Sequence, residues 1–235
     1  MKGTLWGIGI GPGDPELVTV KAARILGACR HVVAPSARTG EGSLALLIAS
    51  PHLGPQAKVH EVEFPMTSDR ALREARWQEA ARLCLELLEE GDVAFPTLGD
   101  ASLYSTWIYL ARAVRSLDAQ VRLECVPGVT SFCAAAARTG HVLAEEGQIL
   151  TIVPAAGDEP LAIAEAVGRG SAVLMKVGRR IATVVQALDE AGALERSVLV
   201  SRASLPEERV VGDLSLLRDA QAEYLSVVLV EGVRP

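Results

Sequence analysis

Short apolar runs alternate along this chain with longer stretches whose apolar residues recur at helical spacing. Residues 5–10 are an apolar run broken by glycines and predict a first strand, which ends in the turn Gly11-Pro12-Gly13-Asp14-Pro15. Leu17, Val20, Ala23, Ile25 and Leu26 then follow a helical period, with Asp14 suited to the cap and Pro15 to the first helical position. Further strands are predicted at 31–34, 58–62, 92–98 and 121–126, a loop at 35–42, and helices at 69–90, 104–117 and 131–138. In the long helix, Leu72, Ala75, Ala80, Leu83, Leu87 and Leu88 mark the apolar side.

The pattern pauses over 140–147, which predicts a boundary between an N-terminal unit, 1–142, and a C-terminal unit, 143–235. The second half restarts with strands expected at 148–153, 172–177, 198–201, 209–211 and 225–230, and helices at 161–167, 181–191 and from 214. Strand–helix alternation in both halves predicts an α/β fold of two α/β domains with mostly parallel sheets.

Composition narrows the function. Hydrophobic residues make up 49% of the 235, enough for packed cores, while aromatics are only 4%, too few for a protein built on base stacking. The formal charge of −6 has the wrong sign for non-specific nucleic-acid binding. Cys29, Cys84, Cys125 and Cys133 show no C-x-x-C spacing and sit among apolar neighbours, so neither a metal site nor a redox pair is expected. No apolar run reaches the length of a membrane span, and the opening residues run straight into a strand without a leader-like pattern. A cytoplasmic location is therefore expected.

The first turn invites a dinucleotide fingerprint and fails it chemically. Counting from Gly7, Pro12 stands where the third glycine belongs; counting from Gly9, Asp14 does. A phosphate cradle needs backbone N–H groups aimed at an anion. Pro12 has no N–H, and Asp14 would set a carboxylate against the phosphate. The turn therefore suits a ligand without phosphate, or is simply a tight strand–helix connection. Two further predicted strand ends, Leu98-Gly99-Asp100 and Val126-Pro127-Gly128, also carry glycine, and open α/β sheets bind ligands at such carboxyl ends. Asp100 there could accept hydrogen bonds from an amino or ribose hydroxyl group, or cap a helix near Ser102.

The stretch from Gly9 to Ala22 resembles the N-terminal signature of the tetrapyrrole (corrin/porphyrin) methylases. Leu98-Gly99-Asp100 with Tyr104-Ser105-Thr106, and Pro127-Gly128-Val129-Thr130-Ser131-Phe132, match in order. These segments, with Leu174 to Arg179, are similar to the branch that methylates carbon 20 of precorrin-2 or cobalt-precorrin-2. One departure is Ala101, where the family usually has proline. The resemblance covers about residues 3–233. It implies a homodimer that binds S-adenosylmethionine in a cleft between its two domains and releases S-adenosylhomocysteine. Carried onto this chain, the implied cofactor contacts are Pro12, Leu98, Gly99, Asp100, Leu103, Ser105, Thr106, Thr130, Ser131, Met175, Lys176 and Ala203.

The implied reaction is an in-line displacement by the ring carbon on the sulfonium methyl, so alignment is the enzyme's main contribution. No histidine is expected to act as a base, and no catalytic side chain is singled out. A polycarboxylate ring on a net-negative protein requires a local basic rim. Its candidates are Arg38, Arg76, Lys176, Arg179, Arg180, Arg202 and Arg209, with Arg38, Arg179 and Arg180 foremost. The competing readings are methylation of another precorrin carbon and a catalytically silent tetrapyrrole-binding protein. The sequence leaves the metal state of the ring open, since any cobalt would belong to the substrate.

Overall fold

The first unit is a wholly parallel sheet of β1 (Thr4–Gly9), β2 (His31–Ser36), β3 (Lys58–Glu63), β4 (Val93–Thr97) and β5 (Arg122–Val126) in the order β3-β2-β4-β1-β5. The computed structural model describes residues 2–37, 42–155 and 160–233. Helices α1 (Val20–Ala28) and α2 (Leu44–Ala49) close one face over Ile8, Ile10, Val32 and Ala94. Helices α3 (Arg70–Leu87) and α4 (Trp107–Leu117) close the other over Leu5, Val33, Val93 and Phe95. Helices on both faces leave no solvated side, so all five residues of β4 are buried. Each fully buried Leu or Ile here is worth about 1.5–3 kcal/mol.

Local chemistry sets the element ends. Asp14 accepts the Glu16 amide at 2.8 Å and starts a 3-10 turn, Pro15–Leu17; α1 begins only after Thr19, whose hydroxyl accepts from the Ala22 amide at 3.2 Å. The pattern predicts no helix at α2, because six residues give too short a period. Ser43 caps it, accepting from the Leu46 amide at 3.2 Å. In α3 the buried stripe is Ala80, Ala81, Cys84 and Leu87, whereas Leu72 is 42% exposed.

The second unit contains α5 (Ser131–Thr139), β6 (Ile149–Pro154), α6 (Pro160–Arg169), β7 (Gly170–Met175), α7 (Ile181–Glu190), β8 (Ser197–Ser201), β9 (Arg209–Val211) and β10 (Ser226–Val230). Its sheet runs β6-β7-β10-β8-β9. Only β6–β7 is parallel; the β7–β10, β10–β8 and β8–β9 pairs are antiparallel, because the connections after β8 hold no crossover helix of the kind a parallel return needs. The helix predicted from 214 is a 3-10 turn, Leu214–Leu217. Five of the eight strand pairings described are parallel. By contacts the chain divides into Met1–Thr130 and Ser131–Pro235; α5 precedes the sequence pause at 140–147 yet packs on β10.

Candidate functional site

In the first sheet, β1 leads into α1 on one face and its neighbour β4 leads into α4 on the other. Their carboxyl ends therefore form a topological switch point, the position where open α/β sheets bind ligands. The chain closes this point with glycine. Gly11 and Gly99 form a two-way bridge, Gly11 N–H to the Gly99 carbonyl at 3.2 Å and the reverse at 2.7 Å. Both have left-handed φ, 79° and 68°, which a β-carbon strongly disfavours. From β5, Gly128 packs its backbone against Gly9: a Cβ on Gly9 would lie 2.6 Å from the Gly128 nitrogen.

These contacts engage several of the amides that a phosphate cradle would use. The Ile10 amide is given to the Thr97 carbonyl at 3.1 Å and the Gly11 amide to Gly99, while Pro12, which is buried, has none. The Gly128 amide goes to Asp100 Oδ2 at 2.8 Å. The Ile10, Gly11 and Gly128 amides are thus spent on joining strand ends.

Asp100 is the hub of this edge. Its Oδ1 accepts from the Ser102 amide at 2.8 Å and from the Ser102 hydroxyl. No helix starts at Ser102, so the carboxylate stabilises a turn rather than a helix cap. Partial burial pushes the carboxyl pKa up, but the Ser102 hydroxyl and the Gly128 and Ser102 amides together outweigh it and hold the group below its ordinary value. Asp100 stays ionised, and a carboxylate has lone pairs left for a donor ligand.

Ser105 and Thr106 converge on a residue that sequence reasoning missed. Thr97, buried at the end of β4, has its hydroxyl 3.1 Å from Ser105 Oγ and 3.4 Å from Thr106 Oγ1. Ser105 Oγ also accepts the Trp107 amide at 3.0 Å, so α4 begins there and not at 104; Tyr104 is left-handed at φ 51°. A threonine inside a predicted strand carries no signal of such a role. Leu98 and Leu103 are half-buried on the same loop. Thr130 follows Gly128, and its hydroxyl is buried with no partner among the described residues. An unpaired buried hydroxyl marks an open hydrogen-bonding position.

In the second unit, β7 and β8 both run antiparallel to β10, so Met175 beside Val227 and Ser201 beside Ser226 end at the same edge. Lys176, predicted inside a strand, lies just past β7 with φ 61°; Arg202 and Ser204 after β8 are also left-handed, at 51° and 62°, around the buried Ala203. Strained non-glycine residues cluster at ligand-binding edges. The Ser201 and Ser226 hydroxyls, unmarked in the sequence, pair at 2.7 Å beneath this edge. Ser131 opens α5.

The proposed basic rim separates into two groups. Arg76 is held by Glu79 and Glu63, and Arg202 by Glu207 and Glu223, so neither is a free cation for a substrate. Arg179 is exposed and Arg180 half-buried, together in the 3-10 turn Gly178–Arg180. Arg38 lies outside the described residues.

The family model of the Tetrapyrrole (Corrin/Porphyrin) Methylases matches residues 4–217. The chain belongs to this family. Among its relatives is the cobalt-precorrin-2 C(20)-methyltransferase of Salmonella typhimurium, 43% identical over 98% of this chain and 97% of that one. The precorrin-2 C(20)-methyltransferase of a Sinorhizobium species is 28% identical over 98% and 96%. Among solved structures, the uroporphyrin-III C-methyltransferase of Thermus thermophilus, complexed with S-adenosylhomocysteine, matches in fold with a TM-score of 0.70 at 23% identity, covering 97% of this chain and 92% of the other. In this tetrapyrrole methylase the strand ends at Gly11, Gly99 and Gly128 are closed by backbone contacts between glycines.

Proposed function

We propose that this chain transfers a methyl group from S-adenosylmethionine to carbon 20 of cobalt-precorrin-2, or of its metal-free counterpart, in cobalamin biosynthesis. The observation that carries the reading is the end-to-end match with the Salmonella relative at 43% identity.

The residues present fit the methyl donor. S-adenosylmethionine has no phosphate, and the strand-end amides are already engaged. Its ammonium and ribose hydroxyls need acceptors, which the ionised Asp100 and the unpaired Thr130 hydroxyl supply. Pro12, Leu98, Gly99, Leu103, Ser105, Thr106 and Ser131 complete the first set of contacts, and Met175, Lys176 and Ala203 form the second. When bound, the cofactor supplies a methyl group activated by a sulfonium. The chain's own task is to hold and orient, with Arg179 and Arg180 meeting ring carboxylates. No histidine base is invoked: His31 bonds His60 and Glu90, His52 the Pro15 carbonyl and His141 the Arg196 carbonyl. The working form in this reading is a cytoplasmic homodimer, which ultracentrifugation and cell fractionation test.

The deciding experiment incubates the protein with methyl-labelled S-adenosylmethionine and each ring form. Mass spectrometry should show one added methyl, and carbon NMR should place the label on carbon 20. Label on another carbon, or ring binding without methylation, would replace this reading with one of its competitors.

A further inference from the structure

Helices α3 and α4 flank a groove of about 430 Å³ in the first unit, lined among others by Arg70, Arg73, Glu74, Trp77, Tyr109 and Arg112. None of these residues takes part in the strand-end site. Its floor is aromatic: Trp77 and Tyr109 stack with ring centroids 4.5 Å apart and planes within 14°. Tyr109 remains 42% exposed, so part of its side chain is open to a ligand.

The walls are cationic. Three arginines face one carboxylate, Glu74, which Arg70 engages at 2.7 Å. Arg73 gives one nitrogen to the Thr67 carbonyl at 2.6 Å, and Arg112 makes no ion pair among the described residues. The protein as a whole carries −6, so this surplus of guanidinium is local. Guanidinium forks match phosphate oxygens two at a time, and a flat ring stacks on a tyrosine face. The volume lies in the range of small-ligand sites. A second copy of the chain is a poor occupant: a two-fold contact would set these arginines against their own equivalents.

We propose that the α3–α4 groove is a binding site for a nucleoside phosphate, with its base stacked on Tyr109 and its phosphate held by Arg112 and Arg73. This site is independent of the methyl-transfer reading.

The probe is adenosine monophosphate, titrated calorimetrically into protein already saturated with S-adenosylhomocysteine, so that the strand-end site is filled. One site should be seen, weakened at least tenfold in Arg112→Glu and in Tyr109→Ala, with adenosine binding much more weakly than its phosphate. Unchanged circular dichroism and Tm certify that both variants are folded. The proposal is overturned if the wild type shows no binding at millimolar probe, if both variants bind equally well, or if adenosine binds as tightly. It is also overturned if the substitutions shift the sedimentation of the protein, which would make the groove a contact between copies.

Discussion

The Gly128 amide donates to Asp100 Oδ2 at 2.8 Å, and the bond joins the ends of two strands that are not neighbours. Between β4 and β5 runs β1, whose last residue, Gly9, lies against Gly128. The bond spans the end of β1, and the room for it exists because Gly9 has no side chain.

Asp100→Asn keeps the shape but replaces one carboxylate oxygen with an NH2 group that cannot accept. A loss of roughly 1–2 kcal/mol is expected, since hydrogen bonds to charged groups are the stronger ones. Because the folded carboxyl titrates below its ordinary value, the wild type's advantage is present above that ordinary value and vanishes as pH falls through the lowered one. Denaturant melts at neutral pH and at successively lower pH below the ordinary carboxylate range should show the difference and then its disappearance.

Gly128→Ala tests the backbone packing. The new Cβ would collide with the Gly99 carbonyl and the Gly9 backbone, neither of which can rotate away. Gly212 has open space at the same position, so Gly212→Ala is the matched control. The first variant should lose several degrees in Tm, or fail to fold, while the second stays within about 0.5 kcal/mol of wild type.

Thr97→Val removes the hydroxyl that Ser105 and Thr106 share, at nearly constant volume. About 1 kcal/mol of stability should be lost. The sharper readout is the KM for S-adenosylmethionine, expected to rise severalfold while that for the ring holds. Equal KM values would confine Thr97 to a folding role.

Arg179→Glu combined with Arg180→Glu should raise the KM for the tetrapyrrole at least tenfold, with the methyl-donor KM unchanged. An unaltered ring KM would remove these arginines from the substrate site.

The thiols offer a check on the cores. Burial pushes Cys29 and Cys84 up to about 12, so almost no thiolate exists at pH 8. Cys125 and Cys133 are exposed, and Cys125 is raised by desolvation and by Asp100. Native labelling at pH 8 should modify Cys133 first, then Cys125, and reach the other two only in denaturant.

Much of this protein is legible in one dimension. The strand patterns at β1, β4 and β5 follow from local rules, whereas Asp14 and Pro15 start only a 3-10 turn and α1 takes its cap from Thr19. The glycine and proline signals at 11–15, 99 and 127–128 likewise mark strand ends without reference to anything distant. Tertiary structure alone decided which of those ends meet. The bond from Gly128 to Asp100 and the antiparallel return of β10 join residues far apart in the chain, and even Thr97 meets Ser105 and Thr106 only because the loop after β4 folds back. The same holds for the groove between α3 and α4, where Trp77 and Tyr109 stack although neither helix announces the other. Local periodicity records which face of an element is apolar. It does not record the partner that face will find, since that choice depends on how whole elements pack.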